Sequence, residues 1–151
     1  MKKELSISAI KDGSVIDHIP STATLKVVDI LNLKGLRGII SIATNLTSKA
    51  MGKKGIIKIS GKDLTKEEVD KIALIAPNAT VNIIKNYNVK EKIKVAIPQT
   101  INKIIKCSNP NCVTNNEKNI MTKFYVLNKD PLKVRCHYCE RNMDKEYISL
   151  L

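Results

Sequence analysis

Within the first hundred residues the apolar pattern switches twice from a period of two to a helical period and back, and all four cysteines fall between residues 107 and 139. Together these features predict an α+β fold. A ferredoxin-like βαββαβ domain occupies residues 1–97, and a small all-β zinc-binding domain occupies residues 98–151. Pro98, followed by Gln99-Thr100, marks the seam, because proline interrupts strand pairing and helices alike.

Each element has its own signal. Leu5-Ser6-Ile7-Ser8-Ala9 alternates as a half-buried strand does, and Asp12-Gly13 then turns the chain. Val15 to Ile19 is extended and stops at Pro20. Thr22 or Thr24 caps a helix whose broad apolar face holds Leu25, Val27, Val28, Ile30 and Leu31, with Gly35 and Gly38 ending it. Ile39 to Leu46 and Ile56 to Ile59 read as strands, separated by a basic, solvated loop over Met51-Gly52-Lys53-Lys54-Gly55. Thr65-Lys66-Glu67-Glu68 is a capping box that opens a second helix, with Val69, Ile72, Ala73 and Ala76 at helical spacing and Pro77 closing it. Thr80 to Ile84 and Val89 to Val95 supply the last extended segments. The resulting order is the split βαβ pattern, with both helices on one face of an antiparallel sheet.

From about residue 101 the helical period is missing. Ile101 to Lys106, Lys123 to Leu127, Leu132 to Cys136 and Tyr147 to Leu151 are short strand candidates, with a turn at Asn128-Lys129-Asp130-Pro131. Some 50 residues with so few large apolar groups need a staple to fold. Cys107 and Cys112 enclose four residues, and Cys136 and Cys139 enclose two. Two such close pairs, brought together by strands, present four thiolates to one structural Zn²⁺. Two disulfides or four unrelated thiols would use the same residues. A chain without an export signal stays in a reducing compartment, which weighs against disulfides. His137 lies inside the second pair, but four thiolates already complete a tetrahedron, so it is expected to point outward.

Composition narrows the function classes. Hydrophobic residues make up 43% and charged residues 26%, which excludes disorder over most of the chain. No apolar run reaches membrane length, and the N-terminus lacks the apolar core of a signal peptide, so the expected location is the cytoplasm. The net charge of +12 invites a nucleic-acid reading. Yet of 26 basic residues only Arg37, Arg135 and Arg141 are arginine, and aromatics are confined to Phe124 and four Tyr. Bidentate forks and stacking platforms are therefore scarce, and solvated lysine is the simpler reading. Catalytic signatures are absent: there is no Walker loop, no H-E-x-x-H and no recognisable nucleophile triad. Asp17 and His18, as neighbours on a strand, point to opposite faces and suit binding better than proton sharing. Two classes stay open on these grounds: a regulatory or adaptor subunit, and a basic zinc-ribbon nucleic-acid-binding protein.

The segments Ile10-Lys11-Asp12-Gly13-Ser14-Val15-Ile16-Asp17-His18-Ile19-Pro20, Ala76-Pro77-Asn78-Ala79-Thr80-Val81-Asn82 and Cys107-Ser108-Asn109-Pro110-Asn111-Cys112, with Cys136-His137-Tyr138-Cys139-Glu140, carry a resemblance. In order and spacing, from about residue 5 to the C-terminus, the chain resembles the regulatory chain of aspartate carbamoyltransferase. The resemblance implies a non-catalytic subunit of pyrimidine biosynthesis. Its N-terminal domain would dimerise with its twin and bind nucleotides: CTP as inhibitor, with UTP assisting in some members, and ATP as activator. Its zinc domain would dock the catalytic chain in an assembly of six chains of each kind.

Carried over by position, the nucleotide pocket implied by the resemblance comprises eleven residues. Ala9 and Ile10 meet the base, Val15 packs nearby, Asp17 faces the ribose, and His18 lies beside the phosphate-sugar end. Lys58 reaches base or ribose, Lys92 pairs with the triphosphate, and Asn82, Ile84, Tyr87 and Val89 complete the wall. Asn109 and Asn111 match positions near the catalytic-chain interface, and also suit a plain knuckle turn. The chain departs from the family's best-known members at Glu4, where they carry Lys, at the end of the pocket associated with UTP.

Overall fold

A computed structural model of the chain describes residues 9–151. It forms two compact units, Met1–Ala96 and Ile97–Leu151. Residues 5–8 of the predicted first strand, and Glu4, lie outside the described residues; Ala9 itself has no regular structure. Among the described residues no helix is long and apolar enough to cross a membrane.

The first unit runs β1 (Gly13–Pro20), α1 (Thr24–Ile30), β2 (Ile40–Ser48), β3 (Gly52–Ser60), α2 (Lys66–Ile75), β4 (Thr80–Lys85) and β5 (Asn88–Lys94). The sheet order is β2-β3-β1-β4-β5, and every pairing is antiparallel. Without β5 this is the order of the ferredoxin-like fold, as the sequence predicts. β5 adds a hairpin strand through Asn86 and Tyr87, both at positive φ (52° and 66°), the backbone that a tight two-residue hairpin turn demands.

Strand alternation divides this sheet into two unlike faces. Ile16, Ile57 and Val81 align across β1, β3 and β4 and are fully buried. Val27 of α1 and Ile72 and Ala73 of α2 are equally buried and close the core over that face. The neighbouring row, Lys58, Val15, Asn82 and Lys92, carries only partly buried or exposed residues and faces away from the helices.

In the first unit the elements depart from the sequence expectations in three places. α1 ends at Ile30, Asn32 at a φ of 47° keeps the helix from continuing toward Gly35, and no side chain caps its start. Leu25, assigned to its buried face, is 67% exposed. The stretch read as a basic loop is strand from Gly52 onward. β2 and β3 form a long hairpin in which Thr47 pairs with Lys53 and Leu46 with Lys54. Ladder pairing overrides the weak strand propensity of Gly and Lys here. By contrast the capping box of α2 is complete: the Glu68 amide donates to Thr65 Oγ1 (3.2 Å), and the Thr65 amide donates to Glu68 Oε1 (3.0 Å).

Gly55 has a packing reason. A Cβ at this position would collide with the side chain of Thr24, whose hydroxyl lies within hydrogen-bond distance of both the Pro20 carbonyl and Thr44 Oγ1. Gly55→Ala is therefore expected to destabilise the first unit by about 1–3 kcal/mol, the usual cost of overpacking. A shift of the urea midpoint followed by circular dichroism measures it.

The second unit comprises β6 (Thr100–Asn102), β7 (Ile105–Lys106), the single turn α3 (Val113–Asn116), β8 (Lys123–Lys129), β9 (Leu132–Cys136), β10 (Asn142–Asp144) and β11 (Ser149–Leu150). A four-stranded sheet, β10-β9-β8-β6, is joined by the small β11-β7 pair. Its buried side chains are few: Phe124, Ile101, Ile105, Val134 and Met143 are the largest. Cys107, Cys112 and Cys136 are buried with them, so this unit's interior holds sulfur as well as hydrocarbon.

Candidate functional site

The two cysteine pairs come from separate stretches of the second unit. Cys107 follows β7 and Cys112 precedes α3, while Cys136 ends β9 and Cys139 sits in the tight turn to β10. That turn closes with the Glu140 amide on the Cys136 carbonyl (3.0 Å), Glu140 taking a φ of 61°. All four sulfurs lie within 4.8 Å of one another, with Cys107–Cys139 and Cys112–Cys136 at 3.7 Å. A tetrahedral Zn²⁺ with Zn–S bonds of about 2.3 Å requires sulfur separations of about 3.8 Å. The donor set therefore fits one structural zinc, held by Cys107, Cys112, Cys136 and Cys139. Four protein thiolates leave no coordination position for water, so the metal would hold structure and supply no hydrolytic chemistry.

Hydrogen bonds prepare the sulfurs for that charge. Cys107 Sγ accepts from the backbone of Asn109, Cys136 Sγ from the backbones of Cys139 and Tyr138, and Cys139 Sγ from the backbone of Arg141 and the side chain of Asn109. Burial nevertheless pushes the Cys107 and Cys136 thiols above their ordinary range. Burial also opposes the Cys139 thiolate, but its hydrogen bonds win and lower it to about 7. Loading zinc thus strips protons from thiols that burial keeps protonated, and affinity must fall as pH falls. A competition titration at pH 7 and pH 6 is expected to show a drop of at least about tenfold, since more than one proton leaves.

His137 is exposed and its Nδ1 lies 2.6 Å from Tyr125 Oη, away from the sulfur cluster. Asn109 and Asn111 form a knuckle turn in which Asn109 Oδ1 accepts from the Asn111 amide (3.0 Å) and the Asn109 carbonyl from the Cys112 amide (3.0 Å). Sequence inspection missed three polar residues of the turn that follows Cys112. Thr114, Asn115 and Asn116 each bond to the cysteine loop, and only their small polar character hinted at it.

A second arrangement lies on the helix-free face of the first unit. Lys58, Val15, Asn82 and Lys92 are successive cross-strand partners on β3, β1, β4 and β5. They stand side by side at the spacing of adjacent strands, about 5 Å. One step along, Asp17 pairs with Thr80, and Thr80 with Lys94. Asp17 accepts from Lys54 Nζ (3.0 Å) and, at 2.6 Å, from the His18 amide. His18 sits at a bulge in β1 with φ of 60°, which swings its ring so that Nδ1 shares a hydrogen bond with Thr80 Oγ1 (3.0 Å). Strict alternation, assumed from sequence, ignores this bulge.

Around that row, Ile84 is buried beside Val89, its β5 partner, while Val89 and Tyr87 are themselves exposed. Ile10 is buried and Ala9 exposed, and the Lys11 carbonyl accepts from the Tyr87 amide (2.9 Å). Lys54 and Thr80 are the polar residues that sequence reading overlooked, the first because it lay in a supposed loop. The face offers cations at both ends of a row, a carboxylate, an amide and a flat apolar strip. Such a surface can bind a polyanion with an attached planar group.

Comparison with known proteins agrees with the division into two units. Residues 5–96 match the family model of the aspartate carbamoyltransferase regulatory chain, allosteric domain, and residues 99–149 that of its metal binding domain. The chain is 58% identical over 147 residues to the aspartate carbamoyltransferase regulatory chain of Pyrococcus horikoshii, covering 96% of each chain. It is 56% identical to that of Pyrococcus abyssi over the same coverage. It is also 45% identical over 150 residues to that of Bacteroides fragilis, covering 99% of this chain and 97% of the relative. With both domains matched in order over nearly its full length, the chain belongs to the family of aspartate carbamoyltransferase regulatory chains.

Proposed function

We propose that this chain is the nucleotide sensor of an aspartate carbamoyltransferase, binding CTP as inhibitor and ATP as activator on the helix-free sheet face. The observation that carries this reading is the cross-strand row Lys58–Val15–Asn82–Lys92 beside Asp17. A triphosphate needs cations, a ribose hydroxyl an acceptor, and a base an apolar wall with an amide. In this arrangement Lys92 meets the phosphates, Asp17 the ribose, and Asn82 with Val15 the base. Ala9, Ile10, His18, Lys58, Ile84, Tyr87 and Val89 border them. CTP and ATP compete for one site and favour opposite quaternary states. Each acts only through its differential affinity for those states, typically about 1–3 kcal/mol.

The zinc unit docks the catalytic chain, and the first unit pairs with a second copy of itself in an assembly of six chains of each kind. Two observations support the pairing. β2 is an edge strand nine residues long, and Ile42 on it and Ile39 just before it are 45% and 75% exposed. A long apolar edge of this kind is what proteins otherwise hide.

Mixing the zinc-loaded chain with catalytic trimers tests the reading. It is expected to yield one large species by sedimentation, whose activity falls with CTP and rises with ATP. Trimers that sediment and respond as they do alone would refute it.

A further inference from the structure

Three of the four residues after Cys112, Thr114, Asn115 and Asn116, make a dense set of bonds to the metal-binding loop. Thr114 Oγ1 lies 3.1 Å from Cys112 Sγ. Asn115 Nδ2 donates both to the Cys107 carbonyl (2.9 Å) and to the Asn109 carbonyl (2.7 Å). Asn116 Nδ2 donates to the Cys112 carbonyl (3.0 Å) and the Pro110 carbonyl (3.2 Å). The turn α3 therefore grips the loop at four carbonyls spread from residue 107 to residue 112, and at one ligand sulfur. A loop of this length would otherwise be free to vary the separation of its two cysteines. The carboxamides fix it by bonds that need no metal.

From this geometry we propose that Thr114, Asn115 and Asn116 are positioning residues for the zinc centre. They preset the Cys107–Cys112 half of the site and slow the metal's escape. A zinc-bound thiolate can only accept hydrogen bonds, so the Thr114 hydroxyl donates to Cys112. That bond draws electron density from the sulfur and fixes its lone pair. Asn115 acts on the first ligand of the pair through its carbonyl, and Asn116 on the second. The other pair, Cys136 and Cys139, is held instead by the tight turn ending at Glu140. The two halves of the site therefore differ in how they are built, and metal loss begins where the side-chain clasp is removed.

The experiment measures zinc content first, then the rate of zinc transfer to a chromophoric chelator, and the visible spectrum of the Co²⁺-substituted protein. Asn115→Ala is expected to release zinc about 10–100-fold faster, as outer-shell partners of metal ligands commonly do. Thr114→Val keeps the side chain's shape and removes only the hydroxyl. It is expected to move the thiolate-to-cobalt charge-transfer band to longer wavelength, and Thr114→Ser to restore it. Release rates within about twofold of the unmodified protein, together with an unmoved cobalt band in Thr114→Val, would overturn the proposal. An unmodified protein that holds no zinc would instead sink the metal assignment itself, which the first measurement distinguishes.

Discussion

Cys112→Ala is expected to cost the second unit both its metal and its fold. With three thiolates the site retains a weaker, open coordination sphere, and the Thr114 hydroxyl loses its acceptor. Structural zinc contributes on the order of 10–16 kcal/mol of apparent folding free energy in small zinc modules. A whole domain rarely exceeds about 5–15 kcal/mol of net stability. The metal term is therefore as large as the gross burial of Phe124, Ile101, Ile105, Val134 and Met143, about 8–15 kcal/mol before chain entropy is subtracted. Removal should release residues 97–151 while leaving the first unit, with its own isoleucine core, intact. Hydrogen exchange on the variant would then read rapid exchange across β8 and β9 and continued protection in β1, β3 and β4. The same variant should fail to join catalytic trimers. Equal loss of protection in both units would contradict two independently stabilised units. Protection of β8 and β9 without zinc would remove the metal from the folding account.

Lys92→Ala carries the second large effect. A charge-assisted hydrogen bond is worth about 1.5–3 kcal/mol, which spans tenfold to roughly a hundredfold in affinity. Lys92 lies exposed on β5, near a sheet edge, so solvent screening pulls the expectation to the low end. A CTP affinity about tenfold weaker at low salt, with the difference narrowing as salt rises, is expected. Lys129→Ala removes the same charge from a residue outside the row and should leave CTP affinity within about twofold. Equal weakening by both variants would reduce the lysine row to a general effect of the +12 net charge. An unchanged affinity in Lys92→Ala alone would remove that residue from the pocket.

Much of this was legible in the sequence because its signals are local or covalently spaced. Four cysteines in two close pairs announce a tetrahedral donor set whatever the intervening fold does. Thr65 and Glu68 specify the start of α2 within a single turn. The alternation of Val15, Ile16 and Asp17 separates the two faces of β1. What stayed hidden depends on partners distant in the chain. Lys54 reads as a loop cation until β3 pairs with β1 and brings it to Asp17, 37 residues away. Leu25 has the right helical spacing for burial, yet α1 is only seven residues long and turns it outward. The His18 bulge breaks the period-two rule where the register of β1 against β3 shifts between Ile16 and Ile19, a pairing irregularity that depends on a strand distant in the chain. Asn115 and Asn116 resemble any polar turn until their carboxamides are seen on the cysteine loop.

The nucleotide reading rests on one face of one sheet, and a calorimetric titration addresses it directly. Zinc-loaded protein is titrated with CTP at near-physiological salt, and again with ATP present at saturation. Saturable CTP binding that ATP shifts to higher concentration is the expected result, and it establishes one shared site. No heat of binding from either nucleotide, or CTP binding indifferent to ATP, would contradict a common effector pocket on the row formed by Lys58, Val15, Asn82 and Lys92.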